Sequence, residues 1–177
     1  MKKIALFLSL FISVNLLFAQ NATDNTEQVI DRKQGKANLD AAKGFGDFIF
    51  GTQRKMYKNF KFIPDAHEPS KKYVSNTHVQ YNGIMVNNVS LDFYKDRLFS
   101  ITMHINKSEI QKLTSYCIKN YGPRGRDLDD DGTYSWRGKI KKITFYEIED
   151  NMVEVLFIDD TDSNKRMEEA SKAEFNR

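Results

Sequence analysis

Hydrophobic and polar residues alternate along two stretches of the chain, and this alternation predicts two β-hairpins. The first stretch, residues 89–105, is divided by the polar segment 95–97, and the second runs from 143 to 157 with a turn near 150. Because a period of two buries one face of each strand, both hairpins are expected to contribute to a core. The apolar positions are Val89, Leu91, Phe93, Phe99, Ile101, Met103 and Ile105 in the first hairpin, and Ile143, Phe145, Val153, Val155 and Phe157 in the second.

A helix is predicted between the hairpins, because the apolar spacing there changes from two residues to three or four. Ser108 and Gln111 match a capping box at its start, and Gly122 followed by Pro123 is typical of its end. A shorter helix is predicted at 53–60. The apolar stripe of the longer helix consists of Ile110, Leu113, Cys117 and Tyr121.

The two halves of this pattern resemble each other. A shift of 54 residues places most apolar positions of the first hairpin on those of the second, for example Leu91 on Phe145, although Phe93 falls on Glu147. A shift of 55 places segment 81–83 on 136–138. Such a period is common for a repeated supersecondary unit. We therefore expect an α+β fold, with one antiparallel sheet built from two helix-plus-three-strand repeats and the helices packed on one face.

The first 19 residues have the pattern of a secretory signal peptide. Lys2 and Lys3 precede the mostly apolar run 4–18, and Ala19 supplies a small residue before a polar segment. The run is shorter than the roughly 20 residues that a helix needs to cross a bilayer, so an uncleaved membrane anchor is the less favoured alternative. We expect an exported protein, periplasmic or secreted, with no membrane span after cleavage.

Three further segments follow the signal peptide. Residues 20–43 are polar with scattered apolar positions, and are predicted to be a flexible N-terminal segment. Residues 44–160 carry the periodic patterns and form the predicted α+β domain. Residues 161–177 are a charged C-terminal tail in which a thin apolar face indicates a marginal helix.

Composition narrows the class of protein. Cys117 is the single cysteine, which excludes an internal disulfide and the lipidated cysteine of a bacterial lipoprotein. Beyond residue 19 the chain has 25 basic and 24 acidic residues, so the balance of charge gives no reason to expect a nucleic-acid partner.

One acidic segment resembles part of a calcium loop. Asp127, Asp129 and Asp131 fall at the first three carboxylate positions, and Gly132 follows. The twelfth position, where a bidentate glutamate normally closes the site, is Gly138. We therefore interpret the segment as a solvated acidic turn with at most a weak metal site, and we expect no cofactor.

Catalytic chemistry has little support in the sequence. Cys117 lies on the apolar helical stripe, where a thiol behaves as a small buried hydrophobe. His67, His78 and His104 are scattered and lack the spacing of metal ligands. No recognisable general base or oxyanion motif accompanies the thiol.

Aromatic residues on the predicted strands are the better functional candidates. A sheet with helices on one side leaves its other side facing water, and tyrosine or tryptophan there is typical of a binding surface. For Tyr134 and Trp136, burial in the core is the alternative interpretation. The candidate binding residues are Tyr94, Tyr146, Tyr134 and Trp136.

Several aromatic and glycine motifs also resemble a known group of proteins. They are Phe45-Gly46 with Phe48-Ile49-Phe50-Gly51-Thr52, Leu91-Asp92-Phe93-Tyr94 with Arg97-Leu98-Phe99-Ser100-Ile101, Tyr121-Gly122 and Tyr134-Ser135-Trp136. The chain resembles small exported bacterial proteins of unknown function, and its helix-plus-meander plan is similar to the β-lactamase-inhibitor-like fold. The resemblance covers roughly residues 45–158, implies a fold and an envelope location, and supplies no catalytic residues.

Two classes of function follow from these observations. The first is a non-enzymatic module of the cell envelope that binds a protein or peptide partner. The second is a secreted enzyme, such as a hydrolase, of unrecognised type. The first is favoured because the sequence contains aromatic strand positions but no catalytic constellation, although a fold alone does not determine function.

The signal peptide generates a direct prediction about processing. The exported protein should begin between residues 19 and 23 and remain in the soluble fraction, because the apolar run ends at a small residue and is too short to anchor. N-terminal sequencing of the exported material checks this. Material that begins at Met1 and partitions with membranes would contradict it.

Overall fold

The computed structural model of the chain describes residues 30–63, 71–75, 78–125, 134–148 and 151–175. The predicted signal peptide lies outside these residues. The helices are α1 (Arg32–Ala41), α2 (Ile110–Tyr121) and α3 (Ser163–Phe175). The strands are β1 (Gly44–Phe45), β2 (Phe48–Ile49), β3 (Lys61–Ile63), β4 (Lys71–Ser75), β5 (Val79–Tyr81), β6 (Ile84–Val86), β7 (Asn88–Tyr94), β8 (Arg97–Asn106), β9 (Tyr134–Arg137), β10 (Lys141–Ile148) and β11 (Met152–Asp159).

Antiparallel pairing organises the strands. Seven of them form one sheet in the order β3-β4-β7-β8-β11-β10-β9, and β1–β2 and β5–β6 are separate two-stranded ribbons. The chain therefore belongs to the α+β class with antiparallel sheets, as the alternating patterns predicted.

The core lies on one face of the seven-stranded sheet. Ile101 of β8 pairs with Phe157 of β11, and both side chains are buried. Burial of a large apolar side chain contributes about 1.5–3 kcal/mol, so this face supplies most of the stabilisation. The helical stripe of α2 joins the same core through Leu113, Cys117 and Tyr121.

A β-bulge changes the inward positions at the start of β8. The register shifts after Asp92, so that Phe93 pairs with Leu98 rather than with Phe99. Leu98 is consequently 2 % exposed, whereas Phe99 is half-buried. The prediction that Phe99 belongs to the buried face is therefore wrong, because the extra residue turns its neighbour inward.

The two hairpins have matching registers over their central parts. Leu91 pairs with Ile101 in β7–β8, and Phe145 pairs with Val155, each 54 residues further along, in β10–β11. The third strand of the first group is β4, not segment 81–83 as the shift of 55 predicted. That segment lies in the β5–β6 ribbon, because its Asn-Gly pair adopts the positive backbone angles of a tight hairpin turn.

Helix α1 lies in a segment that was expected to be flexible. Asp31 caps it by accepting hydrogen bonds from two backbone N–H groups of the first turn, at 2.8 and 2.9 Å. Leu39 is buried in the core. A Cβ atom at Gly35 would lie 2.1 Å from the Tyr121 carbonyl oxygen, so glycine allows α1 to approach α2 closely. Tertiary packing thus orders a segment whose polar composition alone indicates mobility.

The carboxylate of Asp40 attaches α1 to the sheet. It accepts backbone hydrogen bonds from Lys139 at 2.7 Å, Ile140 at 2.9 Å and Lys141 at 3.1 Å, in the turn between β9 and β10. Partial burial raises the pKa of Asp40, but the three N–H groups and the Lys141 charge outweigh burial and hold the pKa below its ordinary value. The last turn of α1 is therefore held at the end of the β9–β10 hairpin.

The helix predicted at 53–60 is absent. A single 3-10 turn, Arg54–Met56, takes its place, and Met56 is 66 % exposed. The preceding chain is extended instead, since the Leu98 N–H donates to the Thr52 carbonyl at 3.0 Å. Pairing with β8 thus competes successfully with helix formation in this segment.

The start of α2 differs from the prediction, whereas its end agrees with it. Ser108 does not cap α2, because it lies in the 3-10 turn Lys107–Glu109, and α2 begins without a side-chain cap. Gly122, at φ +73°, ends α2 as predicted.

Helix α3 occupies most of the charged C-terminal tail. Arg166 pairs with Asp160 at 3.2 Å and lies 4.0 Å from the ring centroid of Phe99. Glu169 pairs with Lys95 at 2.7 Å. These contacts place α3 beside the β7–β8 turn, mostly through charged side chains.

Truncating a side chain of α2 tests whether that side chain is packed in the core. Leu113→Ala should lower the free energy of unfolding by about 2–5 kcal/mol, because it removes a fully packed side chain. Ile118→Ala, a 44 % exposed position on the same helix, is the matched control and should cost less than about 0.5 kcal/mol. Equal losses for the two variants in urea denaturation would contradict this packing.

The Asp40 attachment predicts a pH-dependent loss of stability. Asp40→Asn should cost about 1–3 kcal/mol at pH 7, because an amide replaces one acceptor oxygen. In the folded protein the pKa of Asp40 lies below the ordinary value of 3.8. The stabilisation by the Asp40 carboxylate is therefore complete above pH 3.8 and is lost as the pH falls through the pKa of the folded protein. Urea denaturation at several pH values checks it. The exposed Asp47→Asn is the control, and a difference that persists unchanged at about pH 2 would contradict the assignment.

Candidate functional site

Trp136 is a core residue rather than a surface contact. It is 3 % exposed, its indole N–H donates to the Gly122 carbonyl at 3.0 Å, and its ring centroid lies 5.3 Å from that of Phe145. The apolar ring is therefore packed within the domain, and its polar N–H group has a hydrogen-bond partner there. For Trp136, the structure agrees with the alternative interpretation that the ring packs inside.

Tyr94 is also enclosed. It ends β7 on the face opposite the core, but it is 6 % exposed. The ammonium group of Lys95 lies 5.0 Å from its ring centroid, and the Lys95–Glu169 ion pair brings helix α3 alongside. Tyr94 is therefore not available as a surface aromatic, because a helix formed by the C-terminal tail covers it.

The remaining two aromatic candidates have different positions. Tyr134 begins β9 and pairs with Phe145, and its side chain lies outside the described part of the structure. Tyr146 of β10 is half-buried and pairs with Glu154. Of the described candidates, Tyr146 is thus the one that remains accessible on the sheet face opposite the core, which we call the outer face.

A row of mostly small residues, four of the six with hydroxyl groups, crosses the outer face. Successive cross-strand pairs connect six strands, so at about 4.8 Å per strand the row is about 24 Å long. Thr144, near one end, is fully buried, whereas Leu156 beside it is half-buried. In order, this central row consists of Val74, Ser90, Thr102, Leu156, Thr144 and Ser135.

A second row of larger polar residues runs beside the first. His104 Nε2 lies 3.1 Å from Glu154 Oε2, and both side chains are about one-third exposed. A paired imidazole and carboxylate of this kind fix each other's orientation. This rim row consists of Asn88, His104, Glu154 and Tyr146.

The candidate nucleophile lies on the other side of the sheet. Cys117 is 1 % exposed in the core, and burial raises the pKa of its thiol far above the ordinary value. His104 is on the outer face, so the sheet separates the thiol from this imidazole. The two residues therefore do not form a nucleophile–base pair.

The acidic segment with Asp127, Asp129 and Asp131 lies outside the described residues. Among those that the structure describes, no three histidine, cysteine, aspartate or glutamate side chains come together as metal ligands. Within the same ranges, no helix has the length and apolar character needed to cross a membrane.

Comparison of the chain with models of protein families, with curated proteins and with solved structures found no match. The chemistry of the outer face and its surroundings is therefore the basis for a functional proposal. Sequence reasoning missed the central row, although its Ser and Thr residues are the polar partners in the alternating hairpin pattern.

Proposed function

We propose that this chain is an exported, non-enzymatic module of the cell envelope that binds a protein partner on the outer face of its sheet. The observation that carries the proposal is the central row, a line of mostly small side chains bordered by the larger residues of the rim row. Helices α1 and α2 pack on the core face, so they leave this side of the sheet to other contacts.

The shape of the outer face favours a helical segment as the partner element. Asp92, Ser100 and Lys142 border the central row on the side opposite the rim row. The two borders are four residues apart along each strand, or about 13 Å. An α-helix with side chains is about 10–12 Å across, and about 16 residues span the 24 Å length of the row.

Two buried polar atoms add to this reasoning. Asn88 Oδ1 and Thr144 Oγ1 lie on the outer face without a hydrogen-bond partner in the described part of the chain. An unsatisfied buried polar group costs about 1–3 kcal/mol and is retained where another requirement outweighs that cost. Because both atoms are buried, a docked partner cannot contact them directly, so we infer that the requirement is the shape of the outer face that receives the partner.

We also propose that the sheet consists of two helix-plus-meander repeats, as in the β-lactamase-inhibitor-like proteins that the sequence resembles. Support comes from the matched hairpin registers and from the Thr102–Leu156 pair, which joins equivalent positions of the two halves at the β8–β11 boundary. The first half departs from this plan by its bulge and by the β5–β6 insertion. The envelope location that this resemblance implies agrees with the export proposed from the signal peptide.

Photo-crosslinking tests the binding surface. A photoreactive residue at Tyr146 should crosslink the exported protein to one discrete partner, whereas the same residue at Ile118, exposed on α2, should not. Binding of the identified partner should then weaken about thirty-fold in Tyr146→Ala, because truncating a hot-spot aromatic costs at least about 2 kcal/mol.

Two comparisons separate recognition from loss of folding and from catalysis. Circular dichroism must give the same spectrum for Tyr146→Ala and the wild type. Cys117→Ser should bind normally wherever it remains folded. Equal crosslinking from Tyr146 and Ile118, or unchanged affinity in folded Tyr146→Ala, would overturn the proposed surface.

A further inference from the structure

A groove of about 500 Å³ lies at the edge of the sheet, between helix α1 and strand β9. One wall is the face of α1 that carries Arg32, Gly35 and Lys36, and the other includes Arg137 at the end of β9. Trp136 and other core residues lie beneath it. This groove adjoins the end of the central row at Ser135, and its volume falls within the range of small-molecule sites.

The polar lining of the groove is dominated by positive charge. Arg32 and Lys36 are one turn apart on α1, and Arg137 faces the same space from the sheet. All three residues are exposed, and within the described part of the chain none of them forms an ion pair. Among the residues that the structure describes, no carboxylate lines the groove.

Two acidic residues of the described α1 region, Asp31 and Asp40, are engaged elsewhere. Asp31 Oδ1 accepts the N-cap hydrogen bonds of α1. Both carboxylate oxygens of Asp40 accept backbone N–H groups of the β9–β10 turn. Neither carboxylate is therefore directed at Arg32, Lys36 or Arg137.

Like charges one helical turn apart repel each other, so the proximity of Arg32 and Lys36 does not stabilise the isolated chain. Basic residues on a convex surface are simply solvated, but these three converge on a concave space. A concave wall of one sign concentrates counter-ions of the opposite sign. The positions of the charges thus fit a ligand better than they fit a role in folding.

We propose that this groove binds a small polyanion that carries two or more carboxylate or phosphate groups. Arg32 and Arg137 each carry a planar guanidinium group that matches such a group in bidentate fashion, and Lys36 adds a further positive charge to the lining. Carboxylate and phosphate share this recognition chemistry, so the two sources must be compared by experiment. The inference is independent of the partner proposed for the outer face.

Calorimetric titration of the purified exported protein with pyrophosphate and, separately, with citrate tests the site. Saturable 1:1 binding of at least one probe is expected, and its affinity should fall as salt is added because exposed charges are screened. Tighter binding of pyrophosphate would identify phosphate as the preferred group, and tighter binding of citrate would identify carboxylate. Arg32→Gln and Arg137→Gln should each weaken binding about ten-fold.

Lys33→Gln is the matched control, since Lys33 is an exposed cation of the same helix turn that does not line the groove. It should leave affinity within about two-fold of the wild type, as screening of a remote charge implies. Absence of saturable binding to the wild type would overturn the proposal. An equal loss in Lys33→Gln and Arg32→Gln would also overturn it, because attraction would then be diffuse. Unchanged melting temperatures must accompany each comparison.

Discussion

Pairing between β8 and β11 joins two hairpins into one sheet, and the positions of the other elements depend on it. The pairing places Met103 opposite Val155 and Ile101 opposite Phe157, which makes the apolar faces of both hairpins continuous. With one cysteine in the chain, no internal disulfide can contribute, so this continuous face must supply the stability. Slipping either strand by one residue would turn its core side chains to the outer face.

Helix α1 is held in place by contacts with α2 and with the turn between β9 and β10. Gly35 allows it to approach α2, and Asp40 holds its last turn to the β9–β10 hairpin through three backbone hydrogen bonds. Both contacts keep α1 on the core side and along one edge. The outer face and the edge groove are therefore consequences of the same packing arrangement.

The two surfaces differ in the forces that they offer a ligand. The hydroxyl residues of the central row are buried, so recognition along the row depends mainly on shape, and the half-buried residues of the rim row supply the polar contacts. The groove is compact and its polar lining is cationic, so recognition there depends on charge and weakens with salt. A macromolecular partner suits the first surface and a small anion suits the second, which is why the two proposals are independent.

The sequence alone determined the α+β class, the two hairpins and the buried stripe of α2, because backbone periodicity sets the side of an element on which each residue lies. It did not determine the bulge that exchanges Leu98 for Phe99, the helix that covers Tyr94, or the groove at Arg32 and Arg137. Those features depend on which distant segment lies against a given side chain. Asp40 illustrates the difference, since its partners are about a hundred residues away and no local pattern specifies them. Local patterns determine which face of an element is buried, whereas tertiary packing decides what covers that face.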